Sequence, residues 1–195
     1  MTRLPEHGCI VVTVTTRLGP LGTMAATLLG SEEGKADAGN FIISDMVMSM
    51  KWVHENIAAF GGDPENVTIA GESGGAGKVN TLMAVRELDG MFRRAIMQSC
   101  VGPAGDFETA VATGDAFMEA LGVSTMEEAR AVPAETIKEV FNSSTLGFSN
   151  FVDDYFLTES PDQAVLSGNY NKVDVLMGAN EGELPNLGAM MGLVD

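Results

Sequence analysis

The residue best suited to covalent chemistry in this sequence is a serine set between glycines. Residues 71–75 read G-E-S-G-G, which matches G-x-S-x-G, and they directly follow the β-branched apolar run Val67–Ala70. A helix-like segment comes next. A strand, a sharp turn and a helix in this order form a nucleophile elbow, which points a serine hydroxyl toward a base. The pattern predicts that Ser73 is a nucleophile.

The neighbours of this serine fit the same interpretation. We expect that only glycine fits at positions 71 and 75, because a side chain at either position would collide with the crowded turn. The helix that begins near Gly75 brings free N–H groups and a partial positive charge to the place where an oxyanion would form. The backbone N–H of Gly74 is the predicted donor to that oxyanion.

Two alternatives compete with this hypothesis. One is an ordinary glycine-rich turn between a strand and a helix. The other is a phosphate-binding loop, since residues 71–78 read G-E-S-G-G-A-G-K. The spacing disfavours the phosphate-binding loop, because five residues separate Gly71 from Gly77 where four are needed. In addition, Val79 follows Lys78 where such a loop requires Ser or Thr.

The sequence around the serine resembles the type-B carboxylesterase family, which includes carboxylesterases and cholinesterases of the α/β-hydrolase fold. The resemblance covers most of the chain and implies a serine esterase that hydrolyses a small-molecule carboxylic ester. Gly74 is a departure, since the family usually has alanine there. The similar segments, in order, are residues 11–14 and the turn R-L-G-P-L-G at 17–22, Gly39-Asn40 with Asp45, residues 52–64, the elbow, and residues 92–99.

The resemblance also implies a catalytic acid, for which two glutamates are candidates. In the family a strand ends in glycine and the acid follows a few residues later, a pattern that residues 173–183 resemble. Aligned without a gap, Glu183 takes the catalytic position. Glu181 has the trailing glycine often seen after the family's acid but requires a deletion. We prefer Glu183, because a gap in a short loop that must aim a carboxylate is the costlier assumption.

A base for the serine is harder to find. The sequence has two histidines, His7 before the first predicted strand and His54 inside a predicted helix, and neither suits the role. In this fold the histidine follows the acid in chain order. The family's His-Gly-Gly oxyanion loop is also absent from the sequence. We therefore expect residues 1–195 to be a truncated α/β-hydrolase domain. The alternative is a catalytically inactive, esterase-like protein-binding module, as in the adhesion members of the family.

Composition limits the classes of ligand and partner that the sequence is expected to bind. Hydrophobic residues make up 45% of the chain and charged residues 19%, which suits one globular domain over residues 1–195. The formal net charge of −16 disfavours nucleic acid and favours a neutral or cationic ligand. The two Cys and two His lack the spacing of metal ligands, so we expect neither a metal nor a cofactor. No segment is apolar over enough residues to span a membrane.

Hydrophobic periodicity predicts the elements that position these residues. Strands are expected at Cys9–Thr15, Val67–Ala70, Ala95–Gln98 and Val173–Met177, in a parallel sheet covered on both faces. Helical spacing from Ile43 to Ile57 predicts a long helix before the elbow. Flanking helices and a parallel sheet are typical of an α/β fold.

Residues 104–165 interrupt the strand–helix alternation with helices, at 110–121, after a capping box at 124–127, and from about Pro133. This insertion would either lie over the site as a cap or only cover the sheet. Cys9 and Cys100 are expected to be buried thiols, with a disulfide between them left open. The series Met46, Met48 and Met50 is expected to fill the core.

Overall fold

The computed structural model describes residues 3–33, 39–100, 102 and 104–183. Three strands occur in this part of the chain, at Thr68–Glu72 (β1), Arg94–Gln98 (β2) and Asp174–Gly178 (β3). Four short 3₁₀ segments lie at Leu4–His7, Ile57–Phe60, Pro64–Asn66 and Arg86–Leu88. The α-helices are Pro20–Thr23 (α1), Thr27–Glu33 (α2), Phe41–Asn56 (α3), Gly74–Ala84 (α4), Phe107–Ala120 (α5), Met126–Ala131 (α6), Ala134–Ser143 (α7) and Pro161–Ser167 (α8). None of the described helices is long and apolar enough to cross a membrane.

The three strands form one parallel sheet in the order β1-β2-β3. The register aligns Glu72 with Gln98 and Gln98 with Gly178, so all three strands end at the same edge. Parallel strands need crossover connections, which α4 supplies between β1 and β2. The carboxyl ends of the strands therefore gather the loops that follow them on one side of the sheet.

The main core lies between this sheet and helices α3 and α4. Helix α3 buries Ile42, Ile43, Met46, Val47, Met50 and Val53, at the spacing of one helix face. All of these residues except Val53 pack with the buried side of α4 and with Ile69, Ala95 and Met97 of the sheet. The predicted helix is thus confirmed, and its apolar face packs against α4, the helix that follows Ser73.

A second apolar cluster joins α2 to α5, α6 and α7. Phe117 and Met118 of α5 pack against Met24 and Leu29, with partly buried side chains of α6 and α7 around them. The backbones approach closely here. A Cβ built on Gly114 of α5 would lie 1.8 Å from the carbonyl oxygen of Ala25, so only glycine fits at this crossing.

The carboxylate of Asp45 on α3 holds the segment before α1. The backbone N–H of Arg17 donates to Asp45 Oδ2 at 2.8 Å, and the guanidinium donates to Oδ1 at 2.7 Å. The guanidinium carbon also lies 4.8 Å from the centre of the Phe41 ring. The Arg17 side chain is the main cause that lowers the pKa of Asp45. The turn R-L-G-P-L-G is thereby fixed to α3.

The prediction of a strand at Cys9–Thr15 is wrong. Residues 9–18 have no regular secondary structure, and Ile10, Val12 and Val14 are 47%, 43% and 50% exposed. A β-branched run becomes a strand only when a neighbour pairs with its backbone. Within the described residues no strand does so for this segment.

The prediction that both faces of the sheet are covered is also wrong at the edge strand β3. All five residues of β3 are exposed, including Leu176 and Met177 at 66% and 67%. The other predicted strands differ from the observed ones by one or two residues at their ends. β1 extends to Glu72, because its ladder with β2 continues up to the serine.

Several smaller expectations need correction. Cys9 and Cys100 are exposed free thiols, not buried ones, and they form no disulfide. Met46 and Met50 are buried, but Met48 is 67% exposed because it lies on the outer side of α3. The capping box of α6 pairs Thr125 with Glu128, one residue later than predicted. Helix α7 begins directly after Pro133, as expected.

Candidate active site

Ser73 occupies the turn between β1 and α4 in a backbone conformation that residues with a side chain rarely adopt. Its φ is 55° and its ψ is −121°. Two backbone hydrogen bonds hold it there. Its N–H donates to the Gln98 carbonyl at 2.9 Å, and its own carbonyl accepts from the Gly77 N–H at 3.1 Å. Ser73 is exposed, and its hydroxyl does not cap α4. The hydroxyl is therefore free to face a substrate.

The backbone of the elbow is packed most closely around Gly71. A Cβ at that position would lie 2.2 Å from the carbon and oxygen of Gly75 and 2.7 Å from the Ala76 nitrogen. The expectation for Gly71 is thus confirmed. For Gly75 it is wrong, since a Cβ there would meet nothing within 4 Å. The turn is crowded on the strand side and open on the helix side.

The first turn of α4 lies beside Ser73. Gly74 is its first residue, where backbone N–H groups have no carbonyl partner within the helix. A Cβ on Gly74 would also meet nothing within 4 Å, so the alanine usual in the resembling family would fit. The geometry supports an oxyanion donor at Gly74, with the helix dipole adding partial positive charge.

Glu183 lies beyond β3, and its carboxylate has two donors. The Ser99 hydroxyl donates to Oε1, and the backbone N–H of Asn180 donates to the same oxygen at 2.8 Å. The Ser99 hydrogen bond is the larger cause that lowers the pKa of Glu183, and the Asn180 N–H acts in the same direction. The carboxylate is thus held in its ionised form. Glu181 is exposed two residues earlier, and among the described residues no such pair of donors holds it.

Ser99 is a residue that the sequence reasoning missed. It follows β2 as Ser73 follows β1, and its φ is 53°. Its N–H donates to the Gly178 carbonyl at 2.7 Å, which repeats one strand over the bond from Ser73 to Gln98. The available signal was the recurrence of a serine directly after a polar residue that ends a buried strand, G-E-S in one case and M-Q-S in the other.

The sheet sets the spacing of these groups. Ser73 follows β1 and the loop that carries Glu183 follows β3, with β2 between them. The two strand ends are therefore about 10 Å apart, which is two strand spacings. That is too far for a direct hydrogen bond and suits two groups that both contact a third between them, as in a serine–base–acid triad.

Both histidines of the chain lie on elements other than the elbow. His7 lies in the first 3₁₀ segment, and His54 lies on α3 with its Nδ1 buried and without a hydrogen-bond partner among the described residues. In the described part of the chain, no hydrogen bond joins either imidazole to Ser73. That neither histidine serves as the base stays a prediction.

The comparison with known sequences decides the family. A sequence profile described as the carboxylesterase family matches residues 2–192. The chain belongs to the carboxylesterase family. Para-nitrobenzyl esterase of Bacillus subtilis (strain 168) is 35% identical over 185 residues, which cover 89% of this chain and 37% of that protein. Cholinesterase 2 of Branchiostoma lanceolatum is 34% identical over 192 residues, which cover 91% and 55% respectively.

A solved structure supports the same assignment. The carboxylesterase of Geobacillus stearothermophilus superimposes with a TM-score of 0.85 at 33% identity, covering 97% of this chain and 42% of that enzyme. The predicted α/β-hydrolase fold is confirmed, and the described sheet and helices form part of it. The chain spans between 37% and 55% of the length of the two curated relatives.

Proposed function

We propose that the whole protein hydrolyses carboxylic esters through an acyl-enzyme formed on Ser73. The observation that carries this proposal is the strained, exposed Ser73 between β1 and α4, held by backbone hydrogen bonds on both sides. Such strain costs about 1–3 kcal/mol and persists only where the surrounding structure imposes it. Membership of the carboxylesterase family supports the reaction class.

In the proposed reaction Ser73 Oγ attacks the ester carbonyl carbon while an imidazole takes the hydroxyl proton. The imidazole belongs to a histidine other than His7 and His54, and Glu183 accepts the N–H on its far side. The Gly74 N–H donates to the oxyanion of the tetrahedral intermediate. When that intermediate collapses, the imidazolium gives its proton to the departing alcohol. Water then releases the acid by the same steps, with the proton returned to Ser73.

Charge favours a neutral or cationic ester. The net charge of −16 repels anions at long range, and the exposed carboxylate of Glu72 stands directly beside the nucleophile. An ester whose acyl or alcohol part carries a negative charge would meet this repulsion as it approached the elbow.

We also propose that residues 104–165 form a cap-like insertion within a single domain. Its support is the packing of α5, α6 and α7, whose apolar faces meet α2 in the second cluster. The end of the segment returns to the main core, where Leu157 and Ala164 are buried. A helical layer of this kind can line a substrate pocket, whereas a layer that covered the sheet would share the main core.

The test is covalent labelling of the whole protein with a fluorophosphonate, together with hydrolysis of p-nitrophenyl acetate. Ser73→Ala should remove the label and lower turnover to the residual catalysis of binding and oxyanion contacts, about 10³ to 10⁴ over water. Ser124→Ala, an exposed serine at the start of α6, is the matched control and should retain both. Wild-type turnover in Ser73→Ala would refute the esterase.

The second candidate is a non-catalytic, protein-binding member of the family. The positions of His7 and His54, away from any hydrogen bond with Ser73, favour it. The labelling experiment distinguishes the two functions. A catalytic protein attaches the fluorophosphonate rapidly at Ser73, whereas a serine without a base reacts no faster than Ser124.

A further inference from the structure

The cap-like insertion begins and ends at one short backbone closure. The N–H of Gly105 donates to the carbonyl of Asn150 at 2.8 Å, and the N–H of Val152 donates to the carbonyl of Gly105 at 3.0 Å. Gly105 and Phe151 thus pair as an isolated parallel bridge. We call Gly105 and residues 150–152 the root of the insertion. Helices α5, α6 and α7 lie between the two halves of the root, so their position depends in part on what holds it.

Two asparagines attach the root to the rest of the domain. The buried side chain of Asn40, the residue before α3, donates to the Phe151 carbonyl at 2.7 Å and accepts from the Phe151 N–H at 3.2 Å. On the other side, Nδ2 of Asn150 donates to Oγ1 of Thr81 at 2.7 Å. Thr81 lies on α4, about two helical turns beyond Ser73. This second attachment joins the insertion to the helix that follows the elbow.

The hydrogen bonds of the Thr81 hydroxyl have one possible direction each. A carbonyl can only accept and an amide N–H can only donate. The hydroxyl proton therefore goes to the Gly77 carbonyl at 3.0 Å, and the hydroxyl oxygen accepts from Asn150. The N–H of Gly77 donates to the Ser73 carbonyl at 3.1 Å. Hydrogen bonds thus connect the root of the insertion to the backbone of Ser73 through α4.

The burial of Thr81 makes this contact informative. The residue is 2% exposed and lies on the side of α4 that faces the core. Valine has nearly the same shape and would fill such a position without a polar group that needs partners. Threonine adds an acceptor for the Asn150 amide, and a hydrogen bond in this low-dielectric surrounding is stronger than one in water.

We propose that Asn150 and Thr81 are positioning residues for esters with long acyl chains, because their hydrogen bond fixes the insertion against the helix that carries the nucleophile. The proposal rests on the proposed function, since it takes Ser73 as the nucleophile and the insertion as one wall of the substrate pocket. A short acyl group contacts the elbow alone. A long acyl chain extends to the insertion, so its binding requires that the insertion be held at a fixed distance from Ser73.

The kinetic test compares p-nitrophenyl acetate with p-nitrophenyl octanoate in the whole protein. Asn150→Ala removes the donor, Thr81→Val removes the acceptor, and Thr81→Ser retains it. For octanoate, Asn150→Ala and Thr81→Val should each lower kcat/KM by about 10-fold, mainly through KM, whereas acetate should change by less than about 2-fold. Thr81→Ser should recover most of the octanoate rate. An octanoate-to-acetate ratio that stays constant or rises in both variants would overturn the proposal.

The double variant Asn150→Ala/Thr81→Val shows whether the two residues act through one contact. It should match either single variant for octanoate, because each change removes the same hydrogen bond. Additive losses would show two independent structural effects and would also overturn the proposal. Asn142→Ala, at an exposed asparagine of α7, is the matched control and should hydrolyse both esters like the wild type.

Amide hydrogen exchange of the whole protein tests the root without any ester. Peptides that contain Gly105 or Val152, read by mass spectrometry, should exchange about 10-fold faster in Asn150→Ala and Thr81→Val than in the wild type. Exchange at the wild-type rate in both variants would show that this hydrogen bond does not hold the root. Failure of the esterase itself would appear separately, as turnover that persists in Ser73→Ala.

Discussion

The sharpest test of the elbow is the pair Gly71→Ala and Gly75→Ala, two identical changes on either side of Ser73. At position 71 the new methyl group would lie 2.2 Å from the carbon and oxygen of Gly75. Since non-bonded carbons prefer about 3.5 Å, the first turn of α4 would have to move by about 1.3 Å. The obstacle is backbone, which cannot rotate away as a side chain can.

Two effects follow from that displacement. Overpacking against backbone should lower the free energy of unfolding by about 3 kcal/mol, at the upper end of the usual range. A shift of about 1 Å in Ser73 and in the Gly74 N–H should also slow fluorophosphonate labelling by about 100-fold. Gly75→Ala meets nothing within 4 Å. It should leave labelling unchanged and stabilise the protein by about 0.4–1 kcal/mol, since alanine loses less entropy in a helix.

Urea unfolding, read from the midpoint at constant slope, measures the stability difference, and the rate of fluorophosphonate attachment measures the position of the nucleophile. The two variants should differ in sign for stability and by about two orders of magnitude in labelling. Equal behaviour of both, or a Gly71→Ala protein as stable and as reactive as the wild type, would refute the tight approach of β1 to α4.

Three further predictions concern other residues. Glu183→Gln in the whole protein should lower ester turnover by up to about 10⁴-fold because the imidazole loses its orientation, whereas Glu181→Gln should cost little, and the opposite ranking would move the acid to Glu181. Gly114→Ala should lower the free energy of unfolding by about 3 kcal/mol or more, measured by urea unfolding against Gly147→Ala, where a Cβ meets nothing within 4 Å. The lowered pKa of Asp45 means that its ion pair stabilises the fold above the ordinary aspartate pKa and is lost as pH falls through the lowered value. The free energy of unfolding of Asp45→Asn should therefore fall less on acidification than that of the wild type. An unchanged pH dependence of unfolding would contradict this.

The sequence predicted those elements whose signals are local. The helix from Phe41 to Asn56 and the three observed strands carry their own apolar periodicity, and the elbow carries its glycines. The segment at 9–15 has an equally strong apolar run, but a strand also needs a partner, and no local pattern shows whether one is present. The exposure of Cys9 and Cys100 follows from the same cause, since each borders a segment whose burial depends on distant packing.

The candidate site shows a similar division at the level of single residues. Ser73 could be found because its geometry requires a motif, and Glu183 because a resemblance placed it. Ser99 could not be found in that way, because its significance comes from register. Only when Gln98 is aligned with both Glu72 and Gly178 does the residue after β2 lie between Ser73 and the loop of Glu183.

That register also explains why Ser73 and Ser99 both have a positive φ. A parallel strand that ends with its last carbonyl in the ladder leaves the next residue to donate to the neighbouring strand and then turn away from the sheet. A positive φ accomplishes this turn in one residue. At Ser73 the turn exposes a hydroxyl at the start of a helix, where negative charge is stabilised. At Ser99 it directs a hydroxyl to a carboxylate, where a donor is needed. The same turn therefore exposes a hydroxyl after one strand and brings a hydroxyl to a carboxylate after the next, and the hydrogen-bonded ladder supports the positive φ of both serines.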